Sequence, residues 1–170
     1  MSMVSVSPAV ALLALVTLER LAELWLSHRN TASLLAAGAV EHNPGHYPLI
    51  VLLHALWLAG LWWLGWDQPL IAGWVIAFIV LQFLRLLVLA TLGRRWTTRI
   101  IVVPGEELVA RGPYRFLSHP NYAVVIGEIA ILPLCFGFSW YAALFSLANA
   151  AILTVRIRAE NAALAGSRHD

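Results

Sequence analysis

PLIAGWVIAFIVLQFLRLLVLATL, residues 69–92, is the stretch that decides the fold. It is a continuous apolar run whose only charged residue is Arg85. A helix needs about 20 apolar residues to cross the hydrocarbon core of a bilayer, so this run reads as a membrane span. Four more blocks read the same way: residues 8–26, 47–66, 119–138 and 140–158. The last two are the shortest. They reach spanning length when polar ends such as Arg156 and Arg158 snorkel to the interface. The expectation is an all-α integral membrane protein, one domain over residues 1–170, with five transmembrane helices. The turn Gly137-Phe138-Ser139 would join the last two as a helical hairpin.

Composition agrees with this reading. Of 170 residues, 61% are apolar and 12% charged, whereas a soluble domain carries about a quarter charged residues. The first block does not read as a cleaved signal peptide. No basic residue precedes it, and Glu19, Arg20 and Glu23 interrupt it. Cys135 stands alone, which excludes an intrachain disulfide and a cysteine-based metal cluster.

All eleven basic residues are arginine. Arg29 follows the first block, and Arg94, Arg95, Arg99, Arg111 and Arg115 lie between the third and fourth. Arg156, Arg158 and Arg168 end the chain. With five spans these clusters share one face, which the positive-inside rule makes cytoplasmic. The N-terminus is then external and the C-terminus cytoplasmic. The opposite connections, near Asp67 and Gly137, carry no arginine. Trp57, Trp62, Trp63 and Trp66 form an aromatic belt towards the external end of the second block.

Two cytoplasmic segments hold most of the polar chemistry, residues 27–46 and 93–119. In the first, residues 32–40 are modestly amphipathic and suit the membrane surface. His42 and His46 are four apart, but Pro44 and Gly45 break the helix that would align them, so no metal is expected. The second segment leads into Arg111-Gly-Pro-Tyr-Arg-Phe-Leu-Ser-His-Pro-Asn-Tyr122. Irregular polar backbone at a span's entrance is tolerated only when buried in protein or facing water. Pro120 suits the first helical turn, whose free N–H groups, with Asn121, make a seat for a carboxylate. His119 and Tyr122 face one way, and Arg156 and Glu160 share a face of the last block.

Six ionisable side chains sit inside apolar blocks: Glu19, Arg20, Glu23, His54, Arg85 and Glu128. Such groups face partners or a water-filled cavity. Arg20 and Arg85 with Glu19 and Glu23 read as an internal ion-pair cluster. Glu128 reads either as a structural partner or as a proton-transfer group. His54 reads as a satisfied core histidine or as part of a site.

Gly112-Pro-Tyr-Arg-Phe-Leu-Ser-His-Pro-Asn-Tyr122, followed by Arg156-Ile-Arg-Ala-Glu160, resembles the isoprenylcysteine carboxyl methyltransferase family. The likeness is nearest to short bacterial members proposed to O-methylate alkylresorcinol and alkylpyrone lipids. His46-Tyr-Pro48, His54, Trp57 and the segment 19–24 resemble that branch as well. The chain departs from the family pattern at Ser118, Val124 and Asn161, which points away from carboxyl methylation of a prenylated protein.

The resemblance implies S-adenosylmethionine as methyl donor and S-adenosylhomocysteine as product. Gly112, Pro113, Tyr114, Arg115, His119, Pro120, Asn121, Tyr122 and Glu160 would line a cytoplasmic cofactor pocket, with backbone contacts from residues 106–109. Arg115 or Arg156 would hold the donor's carboxylate. His54 and Trp57 would meet a lipophilic acceptor among membrane lipids. The reaction expected is O-methylation of a phenolic or pyrone lipid, or of a carboxyl group. His46, Tyr47 and Glu128 are the candidates to take or relay its proton, His46 first because its pKa lies nearest neutrality. Nothing suggests nucleic acid as a partner. Two other readings compete: a small membrane carrier or structural subunit, and a phospholipid amine N-methyltransferase.

Overall fold

The computed structural model describes residues 6–105 and 109–166. Five helices account for most of it: α1 (Pro8–Ala36), α2 (Tyr47–Gly65), α3 (Ala72–Leu92), α4 (Pro120–Cys135) and α5 (Ser139–Gly166). The all-α expectation holds, apart from strands β1 (Val40–Glu41) and β2 (Ile101–Val102), which pair antiparallel.

Three helical stretches are long and apolar enough to cross a membrane: Tyr47–Gly65, Ala72–Arg95 and Ser139–Ala163. The other two helices differ for physical reasons. α1 carries Glu19, Arg20 and Glu23 along its length, and α4 has 16 residues, roughly 24 Å at 1.5 Å per residue. The last block is not short, because α5 continues as one helix to Gly166. The third begins at Ala72 instead of residue 69. The Ile71 N–H is held instead by the Cys135 carbonyl at 2.8 Å, in the turn before α3.

α1 also outlasts its apolar block. The stretch expected to lie along the membrane surface begins inside it, and α1 runs on to Ala36 before turning at Gly38, whose φ is +90°. Its last turns are held by polar contacts with the loop after α3. Asn30 Nδ2 donates to the carbonyls of Trp96 (2.8 Å) and Gly93 (3.2 Å), and the Thr98 N–H donates to Ser27 Oγ at 2.8 Å. Ser27 and Asn30 are buried accordingly.

The apolar core sits at one end of the bundle. Ala9, Leu13 and Val16 of α1, Trp57 and Leu61 of α2, Phe78 of α3, Ile129 and Leu132 of α4 and Tyr141 of α5 pack together there. α4 packs against both α3 and α5. The turn between α4 and α5 closes through bonds from the N–H groups of Gly137 and Phe138 to the carbonyls of Leu134 and Pro133, each 3.0 Å, with Gly137 at φ +80°. At the other end, Ala159 and Ala163 of α5 pack on Ile100 and Val102, so the small sheet steadies the last turns of α5.

Candidate functional site

The start of α4 and the end of α5 meet. Tyr122 lies one turn into α4 and is buried; its hydroxyl donates to Glu160 Oε2, and Arg156 Nε donates to that hydroxyl at 2.8 Å. The Arg156 guanidinium also lies over the Tyr122 ring, 5.4 Å from its centroid. His119 stacks on Tyr122 with centroids 5.2 Å apart, and its Nε2 is 3.2 Å from Asn161 Oδ1. His119 Nδ1 lies 3.9 Å from Glu160 Oε1. Arg156 and Glu160, which share a face of α5, are therefore joined through the tyrosine of another helix. Asn161, noted as a departure from the family pattern, takes the outer nitrogen of His119.

The Gly112–Arg115 turn stands beside this group. Gly112 has φ +55°, and a Cβ there would come within 2.6 Å of Thr91 Oγ1 at the end of α3. Glycine is required twice over, by the left-handed backbone and by the close approach. Burial, helped by the Glu160 charge, pushes the Tyr114 hydroxyl up to about 12. Pro113 is half-buried and Pro120 is buried, whereas Arg115 is exposed, 6.0 Å from the Phe116 ring centroid. Of the two arginines expected at a carboxylate, Arg156 is the one inside the site. Residues 106–108 lie outside the described residues, as does the side chain of His46.

A cavity of about 280 Å³ runs from Tyr122, Asn121 and Arg156 towards the middle of the bundle. Leu21, Leu24, Ile50, Val51 and Leu58 give it apolar walls. Tyr47 lines it, its hydroxyl accepting from Thr98 Oγ1 at 3.2 Å, with Arg99 4.6 Å from its ring centroid. Asn121 Oδ1 is buried without a hydrogen-bond partner among the described residues. His54 lines the cavity, but Trp57 does not. One helical turn along α2, Trp57 is buried in the apolar core.

Arg20, Glu23 and Arg85 also reach the cavity wall. Arg85 Nη2 donates to Glu23 Oε2 at 2.6 Å and its Nε donates to Glu23 Oε1. Arg85 Nη1 donates to Glu128 Oε2 at 2.8 Å, and Arg20 Nη2 lies 3.2 Å from Glu128 Oε1. Gln82 Nε2 adds a bond to Glu128 Oε1 at 3.0 Å. The expected ion-pair cluster is present, with one exchange of membership. Glu128 takes the place expected for Glu19, whose Oε2 is buried without a hydrogen-bond partner among the described residues. Both Glu128 oxygens are occupied, which suits a carboxylate fixed as an ion-pair partner.

Among the described residues, no three His, Cys, Asp or Glu side chains are grouped so as to hold a metal ion. The signal that sequence reading lacked was the polar lining of α1. Ser27 and Asn30 lie beyond the apolar block and read as surface, yet they anchor the loop that carries Trp96 and Thr98 to the cavity.

Known proteins add to this geometry. No solved structure matches the chain. A Bacillus subtilis (strain 168) protein described as "Uncharacterized protein YpbQ" is 40% identical over 168 residues, covering 90% of this chain and 94% of that protein. Residues 74–166 match the Isoprenylcysteine carboxyl methyltransferase (ICMT) family. That span contains α4, α5 and every side chain of the Arg156–Tyr122–Glu160–His119 group. The chain belongs to the isoprenylcysteine carboxyl methyltransferase family, a family of membrane methyltransferases.

Proposed function

We propose that this protein is an S-adenosylmethionine-dependent O-methyltransferase, acting on a lipophilic acceptor at the cytoplasmic membrane interface. The acceptor is a phenolic or pyrone lipid or a carboxyl group. All five helices span the bilayer, α1 and α4 among them, with α4 and α5 as a hairpin, the N-terminus external and the C-terminus cytoplasmic. Facing their charged groups inward on one another lets α1 and α4 lie among apolar neighbours.

The observation that carries this reading is the Arg156–Tyr122–Glu160–His119 group at the mouth of an apolar cavity. Its chemistry fits the donor. Arg156 supplies a buried cation for a carboxylate, and Glu160 supplies an anion for an ammonium or ribose hydroxyls. The Tyr122 and His119 rings offer faces to adenine or a sulfonium. Asn121 Oδ1 is a buried acceptor still lacking a donor. The bound donor supplies a methyl group on a positively charged sulfur. The protein's task is then mainly placement. The Gly112–Arg115 turn closes the side of the pocket, and the cavity admits the acceptor, whose alkyl chain lies among the apolar helices. His46 and Tyr47 open α2 at the cytoplasmic end, where a proton passes to water.

His119→Ala and Glu160→Ala each weaken S-adenosylhomocysteine binding, by about tenfold or more for a lost charge-assisted contact. His46→Ala lowers turnover with binding little changed. Calorimetry checks both, and wild-type affinity in the first two variants defeats the assignment. The same ligand raises the melting temperature with a concentration dependence that a carrier would lack.

A further inference from the structure

We infer that His54 is a catalytic residue: inside the cavity its Nε2 takes the proton from the acceptor's hydroxyl, and Arg20 faces the oxygen left behind. The inference rests on the proposed O-methylation and adds the residue that activates the acceptor.

The tautomer of His54 follows from its hydrogen bond. Nδ1 lies 2.8 Å from the Ile50 carbonyl oxygen, one turn earlier on α2. A carbonyl only accepts, so Nδ1 carries the hydrogen and neutral imidazole leaves its lone pair on Nε2. Nε2 has no hydrogen-bond partner among the described residues, and the side chain lines the cavity.

The neighbouring groups are already committed. Glu128 accepts from Arg20, Arg85 and Gln82, and Glu23 accepts from Arg85 and pairs with Arg20. The Tyr47 hydroxyl is engaged by Thr98. Arg20 lines the same cavity, its side chain 15% exposed. A lone pair and a guanidinium therefore line one largely apolar chamber. His54 lies seven residues into α2 from Tyr47, roughly 10 Å deeper along the axis. An acceptor ring fits between, with its alkyl chain towards lipid.

The step balances without a further reactant. The acceptor's O–H bond breaks with its electron pair staying on oxygen, and a new N–H bond forms at Nε2. Oxyanion and imidazolium result, the former beside Arg20. Methylation consumes the oxyanion, and the imidazolium gives its proton to water that enters the cavity as product leaves.

The test uses a long-chain 4-nitrophenol, whose ionised form is visible by absorbance, bound to the full-length protein without donor. His54→Asn places an amide N–H where Nδ1–H sat, which keeps the Ile50 bond and removes the base; His54→Gln is the second variant. Buffered below the free phenol's pKa, the wild type ionises the bound probe and both variants leave it neutral. With donor added and the buffer raised above the nitrophenol's pKa, the variants lose about 100-fold in turnover on a plain alkylphenol and little on the nitrophenol, which is then ionised unaided. Wild-type ionisation of the probe by both variants overturns the inference. So does His46→Ala if it alone abolishes ionisation. A wild type that ionises the probe but never methylates any phenol with added donor would defeat the O-methyltransferase reading and leave the role of His54 as a base standing.

Discussion

At the end of the bundle formed by residues 8–16, 57–65 and 129–141, helices meet through apolar side chains in direct contact. At the other end they meet through ion pairs, loop bonds and a cavity of about 280 Å³. The contrast has a physical cause. In a bilayer, lipid is as apolar as leucine, so apolar helices gain little from hiding side chains and rely on close van der Waals fit. The filled end has that fit. The hollow end gives it up and is held instead by charges that have no favourable alternative in hydrocarbon. On the proposed reading, stability and binding fall at opposite ends of the same five helices.

The largest effect expected at the hollow end comes from Arg85, which bridges α1 and α4 from α3. Arg85→Leu leaves Glu23 and Glu128 facing one another with one cation fewer. Breaking a buried pair on one side costs about 3–5 kcal/mol. Thermal unfolding in detergent should therefore show a deep loss for Arg85→Leu. Partial recovery is expected when Glu23→Gln accompanies it, because the uncompensated charge is then removed. If Arg85→Leu melts with the wild type, charge is not what holds this end together.

At the filled end, the corresponding change is a single carbon. A Cβ on Gly60 would collide with the Tyr141 hydroxyl, which donates to the Trp57 carbonyl at 2.9 Å. Gly60→Ala should cost about 1–3 kcal/mol, the usual range for overpacking. Tyr141→Phe in the same chain should return part of that loss, since the two changes share one contact. Donor affinity should not move in either variant. A fall in S-adenosylhomocysteine affinity would show that the two ends are coupled.

The filled end was the more legible of the two in the sequence. Its helices follow from apolar length, and its turns from Gly65, Pro69 and Gly137. The hollow end was legible in its motifs: Tyr122, His119, Arg156 and Glu160 do converge. Its wiring was not. Whether Glu19 or Glu128 joins Arg20 and Arg85 depends on the rotation of α1 against α4, which spacing within one helix cannot fix. Trp57 and His54 lie three apart on α2, yet one enters the core and the other the cavity. The inward role of Ser27 and Asn30 was hidden because polar residues past an apolar block look the same whether they meet water or a loop.

The smallest effect expected lies at the rim of the hollow end, in the turn that holds Tyr114. Its hydroxyl is pushed up to about 12 from the ordinary 10, first by burial and then by the Glu160 charge. The folded protein thus prefers the neutral phenol more strongly than the unfolded chain does. This contribution is complete below pH 10 and is lost as pH rises from 10 to about 12. Because the side chain is only half-buried, solvent screens much of it. Followed across that window, the melting temperature of the wild type should fall faster with rising pH than that of Tyr114→Phe. Parallel curves would mean that the turn packs on α3 through Gly112 and Thr91 alone, and that Tyr114 does not sense the charge of Glu160.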